Sequence, residues 1–204
     1  MEKAAWGKSF RKYSASWSRW IHIYLSMISF ISLLFFAVTG LTLNHTEWFE
    51  DMQATSSSKG SIKVDWVKPG DSSNVSKLEV VEHLRKQHHI SGAVGEFAID
   101  DLQCTISFNG PGYTADVFIN REDGNYEVSE TKTGIWGIMN DLHKGRDAGK
   151  GWAWLIDISA VLMVVVSLSG LMMLFFLKKK RLAGTLMIVL GGIAVLLVYW
   201  LLVP

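Results

Sequence analysis

The chain has a single cysteine, few charges and no motif for a bound nucleotide or a hydrolytic reaction. Cys104 has no partner, which excludes an intrachain disulfide and predicts that it packs as a small apolar residue. No nucleotide-binding glycine loop, flavin motif or hydrolytic triad is present. Only 19% of the 204 residues are charged, whereas 49% are hydrophobic and nine are tryptophan. This composition is too apolar for an ordinary soluble domain.

Three continuous apolar stretches are each long enough to cross a bilayer, which takes about 20 residues in a helix. They are Ile21–Leu43, Trp154–Leu177 and Leu182–Val203. The first is longer than the core of a signal peptide, and no small-residue cleavage pattern follows it. The sequence therefore predicts three transmembrane helices.

Basic residues flank these stretches and predict their orientation. Lysine and arginine crowd residues 1–20, where Glu2 is the single acid, and Lys178–Arg181 form a second basic block between the last two stretches. Under the positive-inside rule both segments lie in the cytoplasm, so residues 44–153 and the C-terminus lie on the outer side. Since neither block covers a folded face, no binding to nucleic acid is expected.

The segment of residues 44–153 has the pattern of a small α+β domain. Thr55–Gly60 is rich in serine and is expected to be a flexible lead-in. An apolar face at helical spacing predicts a helix over Lys77–His89. Four short strands separated by turn residues follow, namely Gly95–Ile99, Gln103–Phe108, Tyr113–Ile119 and Asn125–Ser129.

Three histidines stand where apolar sequence meets polar sequence: His22 and His45 at the two ends of the first stretch, and His143 shortly before the second. Histidine at a membrane boundary is costly to place and is a common axial ligand of haem iron. His22 and His45 lie roughly 35 Å apart on one helix and cannot bind the same iron. His45 and His143 are expected on the same side of the membrane, so a haem held by both is the natural pairing, within one chain or across a dimer. Without a Cys-x-x-Cys-His motif, the haem would be bound non-covalently.

Other residues near these histidines have alternative roles. A haem iron bound to His22 could take its second axial ligand from His22 of another copy of the chain, or from Met172 or Met173. Alternatively, His22 could belong to an interfacial aromatic belt. Asp157 could accept the free ring N–H of His45 or His143, or it could simply benefit from the dipole of its helix. Two cationic residues after His143 could pair with haem propionates or an anionic ferric chelate, or form a solvated loop. These residues are Lys144 and Arg146.

Several short runs resemble those of PepSY-associated transmembrane proteins. The runs are Trp17–His22 (WSRWIH), Thr39–His45 (TGLTLNH), Asp141–Arg146 (DLHKGR) and Ser169–Leu171 (SGL). The helix-then-strands segment ending at Asp116–Gly124 is similar to a PepSY module, and the resemblance covers nearly the whole chain. It implies a bacterial inner-membrane protein with three transmembrane helices and a small periplasmic α+β domain between the first and second.

The same resemblance implies two functions of different classes. Some members of the family are haem-bearing reductases that release iron from ferric siderophores or reduce ferric iron for uptake. By that reading the chain holds one or two haem b groups, in one chain or shared in a homodimer, and takes electrons from an unknown donor. The alternative is a non-catalytic membrane scaffold or regulator whose PepSY-like domain binds a protein partner. Haem content distinguishes the two.

Overall fold

The structure, a computed structural model, describes residues 2–68, 75–177 and 179–204. The helices are α1 (Glu2–Leu43), α2 (Lys77–His88), α3 (Gly134–Lys144), α4 (Gly149–Phe176) and α5 (Arg181–Leu202). The strands are β1 (Ala54–Ser61), β2 (Ala93–Ile99), β3 (Gln103–Gly110), β4 (Tyr113–Asn120) and β5 (Asn125–Lys132). The chain forms two compact units: a helix unit, made of the chain up to Leu34 with Asp157–Pro204, and a sheet unit, Phe35–Ile156.

Three of the helices are long and apolar enough to cross a membrane, as the sequence predicts. The membrane-length segments are Lys12–Leu43, Gly149–Phe176 and Arg181–Leu202. In α5 no described residue is buried, and Trp200 exposes 79% of its surface. A helix with an apolar surface on all sides is stable only in an apolar surrounding, so lipid is the solvent that fits it.

The helices are longer than the apolar stretches that predict them. α1 continues without a break from the apolar stretch back to Glu2, and α4 begins at Gly149 rather than at Trp154. Hydropathy marks where a helix enters lipid, whereas backbone hydrogen bonding carries the helix on into polar surroundings. Lys178 of the predicted cytoplasmic loop lies outside the described residues, and the orientation of the spans stays a prediction.

The sheet unit contains a five-stranded antiparallel sheet in the order β1-β5-β4-β3-β2. Alternate residues of the three central strands face a core that α2 covers. The register places Ile106 of β3 opposite Val117 of β4, and Val117 opposite Val128 of β5. From α2, Val80 and Leu84 complete this core and are fully buried. We call β1–β5 together with α2 the sheet domain.

The predicted helix and four strands are all present, with each strand extending one to three residues beyond its predicted bounds. α2 ends before His89 because that residue takes a left-handed conformation with φ 53°. The expectation of a flexible lead-in at Thr55–Gly60 is wrong, since these residues lie in β1 and pair along their whole length with β5. β1 is an edge strand with exposed side chains, so it lacks the apolar alternation that identifies a strand in a sequence.

Candidate functional site

Helix α3, which carries His143, has no counterpart among the predicted elements. Its signal is nevertheless present in the sequence, because Ile135, Ile138 and Leu142 recur at helical spacing. The helix ends at Gly145, which has φ 69° and whose single backbone N–H donates to the carbonyl oxygens of Asp141 and Leu142. Its proximity to the apolar stretch of α4 hides it from a reading based on hydropathy alone.

α3 joins the sheet to the end of α1 through two neighbouring polar side chains. Asn140 accepts a hydrogen bond of 2.6 Å from the Thr42 hydroxyl of α1. Asp141 accepts a hydrogen bond of 2.9 Å from the backbone N–H of Gly112, in the turn between β3 and β4. Gly112 has φ 69°, and a Cβ there would overlap Ile138 of α3. The helix that carries His143 is therefore anchored on both sides.

The His143 ring is fixed by a hydroxyl and a glycine of α1. Its Nδ1 lies 2.6 Å from Thr39 Oγ1, and the same hydroxyl donates to the carbonyl of Phe35 at 2.6 Å. Since a carbonyl can only accept, the Thr39 proton is committed to Phe35, and Nδ1 of His143 must carry a proton and donate. The ring also packs next to Gly40, where a Cβ would lie at an ordinary van der Waals distance of 3.7 Å from His143 Cε1. This tautomer leaves the lone pair on Nε2 free.

The His22 ring has the same arrangement in the helix unit. Its Nδ1 lies 3.1 Å from the carbonyl oxygen of Val166 and 3.0 Å from the hydroxyl of Ser169, both in α4. The carbonyl again requires that Nδ1 donates, and in the neutral form of the ring the lone pair is then on Nε2. A Cβ on Gly170 would lie 3.1 Å from His22 Cε1, which is a tight contact, so a side chain there would require the ring to shift slightly. A hydroxyl followed by glycine thus holds each of the two rings: Thr39-Gly40 holds His143 and Ser169-Gly170 holds His22.

His45 has a different environment on the polar side of α1. Its ring stacks on Trp48 with centroids 4.2 Å apart and planes 4° apart. Its Nδ1 lies 3.1 Å from the carboxylate of Glu47, which accepts the ring N–H. The pKa of Glu47 lies below its usual value, mainly through a backbone hydrogen bond and then through His45. In the neutral form of the His45 ring, this contact places the proton on Nδ1 and the lone pair on Nε2.

The structure does not bring His45 and His143 into contact in the part of the chain that it describes. Each ring has its own partners, Trp48 and Glu47 for the first and Thr39 and Phe36 for the second. Their pairing on one haem iron stays a prediction. Thr39 and Glu47 accept the ring N–H groups of His143 and His45, respectively. Asp157 is exposed, and its role beside a histidine stays a prediction.

The remaining predicted residues lie apart from these hydrogen bonds. Met173 lines a cavity of about 200 Å³ with Ala15 and Arg19, and Met172 is half exposed. Arg146 Nη1 lies 3.9 Å from Asp141 Oδ1, and Lys144 is exposed. Within residues 2–68, 75–177 and 179–204, no group of three or more His, Cys, Asp or Glu side chains could hold a metal ion.

Two half-buried histidines of the sheet unit predict that acid destabilises the fold. Burial, followed by the charge of Lys144, lowers the pKa of His143 below its ordinary 6.5. Burial, followed by the charge of His83, lowers the pKa of His88 below the same value. Below about pH 6.5 the unfolded chain takes up protons that the folded chain resists, so stability falls with pH until both folded histidines are protonated.

Cys104 offers a direct measurement of this effect. It is the single cysteine of the chain and is fully buried, so its rate of modification by a thiol reagent in urea reports unfolding of the sheet domain. We expect faster modification at pH 5.5 than at pH 7.5 once the intrinsic thiol reactivity is corrected for pH. Replacing His88 with glutamine should reduce the difference, whereas replacing the exposed His89 with asparagine should not. An identical pH dependence in both variants would contradict the role of His88.

The architecture defines the class of the chain: a membrane protein whose first two apolar helices are separated by a five-stranded α+β domain. A family model described as Putative PepSY_TM-like matches residues 16–204. The chain belongs to this family, which confirms the resemblance seen in its sequence runs. No curated protein and no solved structure matches the chain.

Proposed function

We propose that the chain is a haem b protein of the bacterial inner membrane that passes electrons to ferric iron or a ferric siderophore on the periplasmic side. The observation that carries the proposal is the shared state of His22, His45 and His143. In each ring Nδ1 donates to an acceptor, so the neutral form of the ring has its lone pair on Nε2. Neutral imidazole with a bare nitrogen and a held N–H is the form of histidine that binds haem iron.

The imidazole nitrogens of these histidines are suitable donor atoms for haem iron. His143 has a lowered pKa, so it is neutral at neutral pH and its Nε2 can bind iron without first losing a proton. Thr39, through its bond to Phe35, holds the ring orientation that such a ligand needs. When bound, a haem with two histidine ligands supplies one-electron transfer. His45 and His143 would hold one haem, and His22 would hold a second with a partner from another copy or a methionine.

One observation favours the alternative, a non-catalytic scaffold that binds a protein partner through its PepSY-like domain. The hydrogen bonds of His22 and His143 each join two helices, His22 to α4 and His143 to α1. Polar contacts of this kind stabilise helix packing in membranes without any cofactor. In that case the two hydroxyl-glycine pairs serve packing alone.

Ligand variants separate the two functions. We expect that replacing His143 with alanine removes most of the α band in a dithionite-reduced minus oxidised spectrum of the purified chain. His22→Ala should remove a second component if two haems are bound. His89→Asn is the matched control, because His89 is exposed and lies on the sheet domain. An unchanged spectrum in the His22, His45 and His143 variants would contradict the ligand assignment.

Thr39 provides a test that preserves the ligands. Replacing Thr39 with valine keeps the volume but removes the acceptor for the His143 ring N–H. We expect the haem content to change little and the midpoint potential to shift, because that hydrogen bond tunes the basicity of the ligand. Thr39→Ser restores the hydroxyl and should restore the potential. Equal potentials in all three proteins would contradict a role for this hydrogen bond at the haem.

A further inference from the structure

A cavity of about 310 Å³ lies within the sheet unit, where α3 meets the turn between β3 and β4. Its volume is in the range of sites that bind small polar molecules, which begins at roughly 300 Å³. Phe49 and Tyr113 form part of its wall, its charged groups are those of Asp141, Arg146 and Asp147, and Asn140 adds a polar amide. Apart from Asn140, which also anchors α3 to α1, these groups take no part in the histidine contacts described above.

Asn140 is a buried polar group of this cavity, with only 9% of its surface exposed. Its amide oxygen accepts the Thr42 hydroxyl at 2.6 Å. Its amide nitrogen carries two donors that can serve a ligand in the cavity. The Thr133 hydroxyl, which also lines the cavity, is buried without a partner among the described residues, so a ligand that accepts from it would be bound favourably.

The charges at the cavity do not neutralise one another. The guanidinium of Arg146 makes one loose contact, 3.9 Å to Asp141, whose carboxylate already accepts from Gly112. Asp147 has φ 53° and makes no ion pair in the described part of the chain. The cavity is thus lined by one cation and two carboxylates; Asp141 is engaged by Gly112 and Arg146, whereas Arg146 and Asp147 have most of their hydrogen-bonding capacity free. A ligand that carries both an anionic and a cationic group complements this arrangement.

The surroundings of the cavity indicate where such a ligand comes from. The sheet unit includes the end of α1 at Leu43 and the start of α4 at Gly149, both helices of membrane length. Aromatic residues typical of a membrane interface lie between these ends, with Phe49 stacked on Trp136 at 4.9 Å. The apolar side chain of Ile135 beside them is 66% exposed. These features fit the level of lipid headgroups.

We propose that this cavity binds the headgroup of a phospholipid that carries both a phosphate and an ammonium group, as phosphatidylethanolamine does. The phosphate accepts from the Asn140 amide and the Arg146 guanidinium, since guanidinium forms strong paired hydrogen bonds to phosphate. The ammonium pairs with the carboxylate of Asp147. The site requires no haem, so its failure and that of the proposed electron transfer can be distinguished.

Native mass spectrometry of the full chain in mild detergent tests the proposal by titration with phosphatidylethanolamine. We expect one tightly held lipid per chain, with affinity lowered about tenfold by Arg146→Ala and by Asp147→Asn, as for loss of one charge-assisted bond. Asparagine tolerates the left-handed backbone at position 147. Lys144→Ala is the matched control, because it removes a nearby charge that does not line the cavity, and it should leave the affinity unchanged.

Two further ligands identify the chemistry and its source. Phosphatidylglycerol, which has no ammonium group, should bind more weakly, and Asp147→Asn should not weaken it further. Equal binding of the two lipids, or full affinity in Arg146→Ala, would overturn the proposal in favour of unspecific lipid contacts. Binding of free phosphoethanolamine as tightly as the lipid would overturn the assignment to a membrane lipid and point to a soluble zwitterion. Circular dichroism of each variant verifies that it is folded.

Discussion

Replacing Arg121 with alanine is expected to lower the free energy of unfolding of the sheet domain by about 3 kcal/mol or more. Arg121 follows β4 and is 1% exposed, yet its guanidinium is well satisfied. It donates to the carbonyl oxygens of Val67 at 2.9 Å, Lys68 at 2.6 Å and Asp100 at 2.6 Å. Alanine would leave these carbonyl groups, of which that of Val67 belongs to a buried residue, without their donor and would open a cavity in the same place.

The urea dependence of Cys104 modification measures this loss in the full chain. Arg121→Lys keeps the charge but cannot donate in several fixed directions, so its stability should lie between those of the alanine variant and the unchanged chain. Lys59→Ala serves as the control, because Lys59 is exposed and its ion pair with Glu127 is 3.8 Å long. A loss below about 1 kcal/mol in Arg121→Ala would contradict a structural role for these hydrogen bonds.

Replacing Phe108 with alanine is expected to cost about 3–5 kcal/mol, as for other fully buried aromatic residues. Phe108 lies on β3, faces the core and exposes no surface. Phe118 on the neighbouring strand faces the opposite side of the sheet and is 44% exposed. Phe118→Ala therefore removes the same atoms from a partly solvated position and should cost about 1 kcal/mol or less. Similar losses in both variants, measured through Cys104, would contradict the assignment of the two faces.

Hydrophobic pattern explains which elements of the fold can be predicted from the sequence. The apolar helices consist of long apolar runs, and the central strands alternate apolar with polar residues. Both patterns are visible in the sequence. β1 cannot be found this way, because Ala54–Ser61 is held by backbone pairing with β5 and its side chains face solvent. The full length of α1 is equally hidden, since backbone hydrogen bonds continue the helix where hydropathy ends.

At the candidate site, too, some residues can be recognised from the sequence and others cannot. His22 and His143 stand out in the sequence because a polar ring at an apolar boundary is costly. Their partners do not stand out, because a threonine or serine before a glycine in a helix has many ordinary explanations. Contact between residues more than 100 positions apart, as between Thr39 and His143, is set by tertiary packing. The hydrogen bond that each ring donates from Nδ1, which decides its tautomer, is therefore known only from the structure.

The most direct test of the proposed electron carrier is a dithionite-reduced minus oxidised absorbance spectrum of the whole chain, purified in mild detergent after expression with ample iron and haem supply. Haem is quantified per chain in the same sample. The proposed function predicts a sharp b-type α band and a content near one or two haems per chain, or a fraction that matches sharing within a dimer. A chain free of haem under these conditions would contradict it and favour the scaffold, in which His22 and His143 serve helix packing.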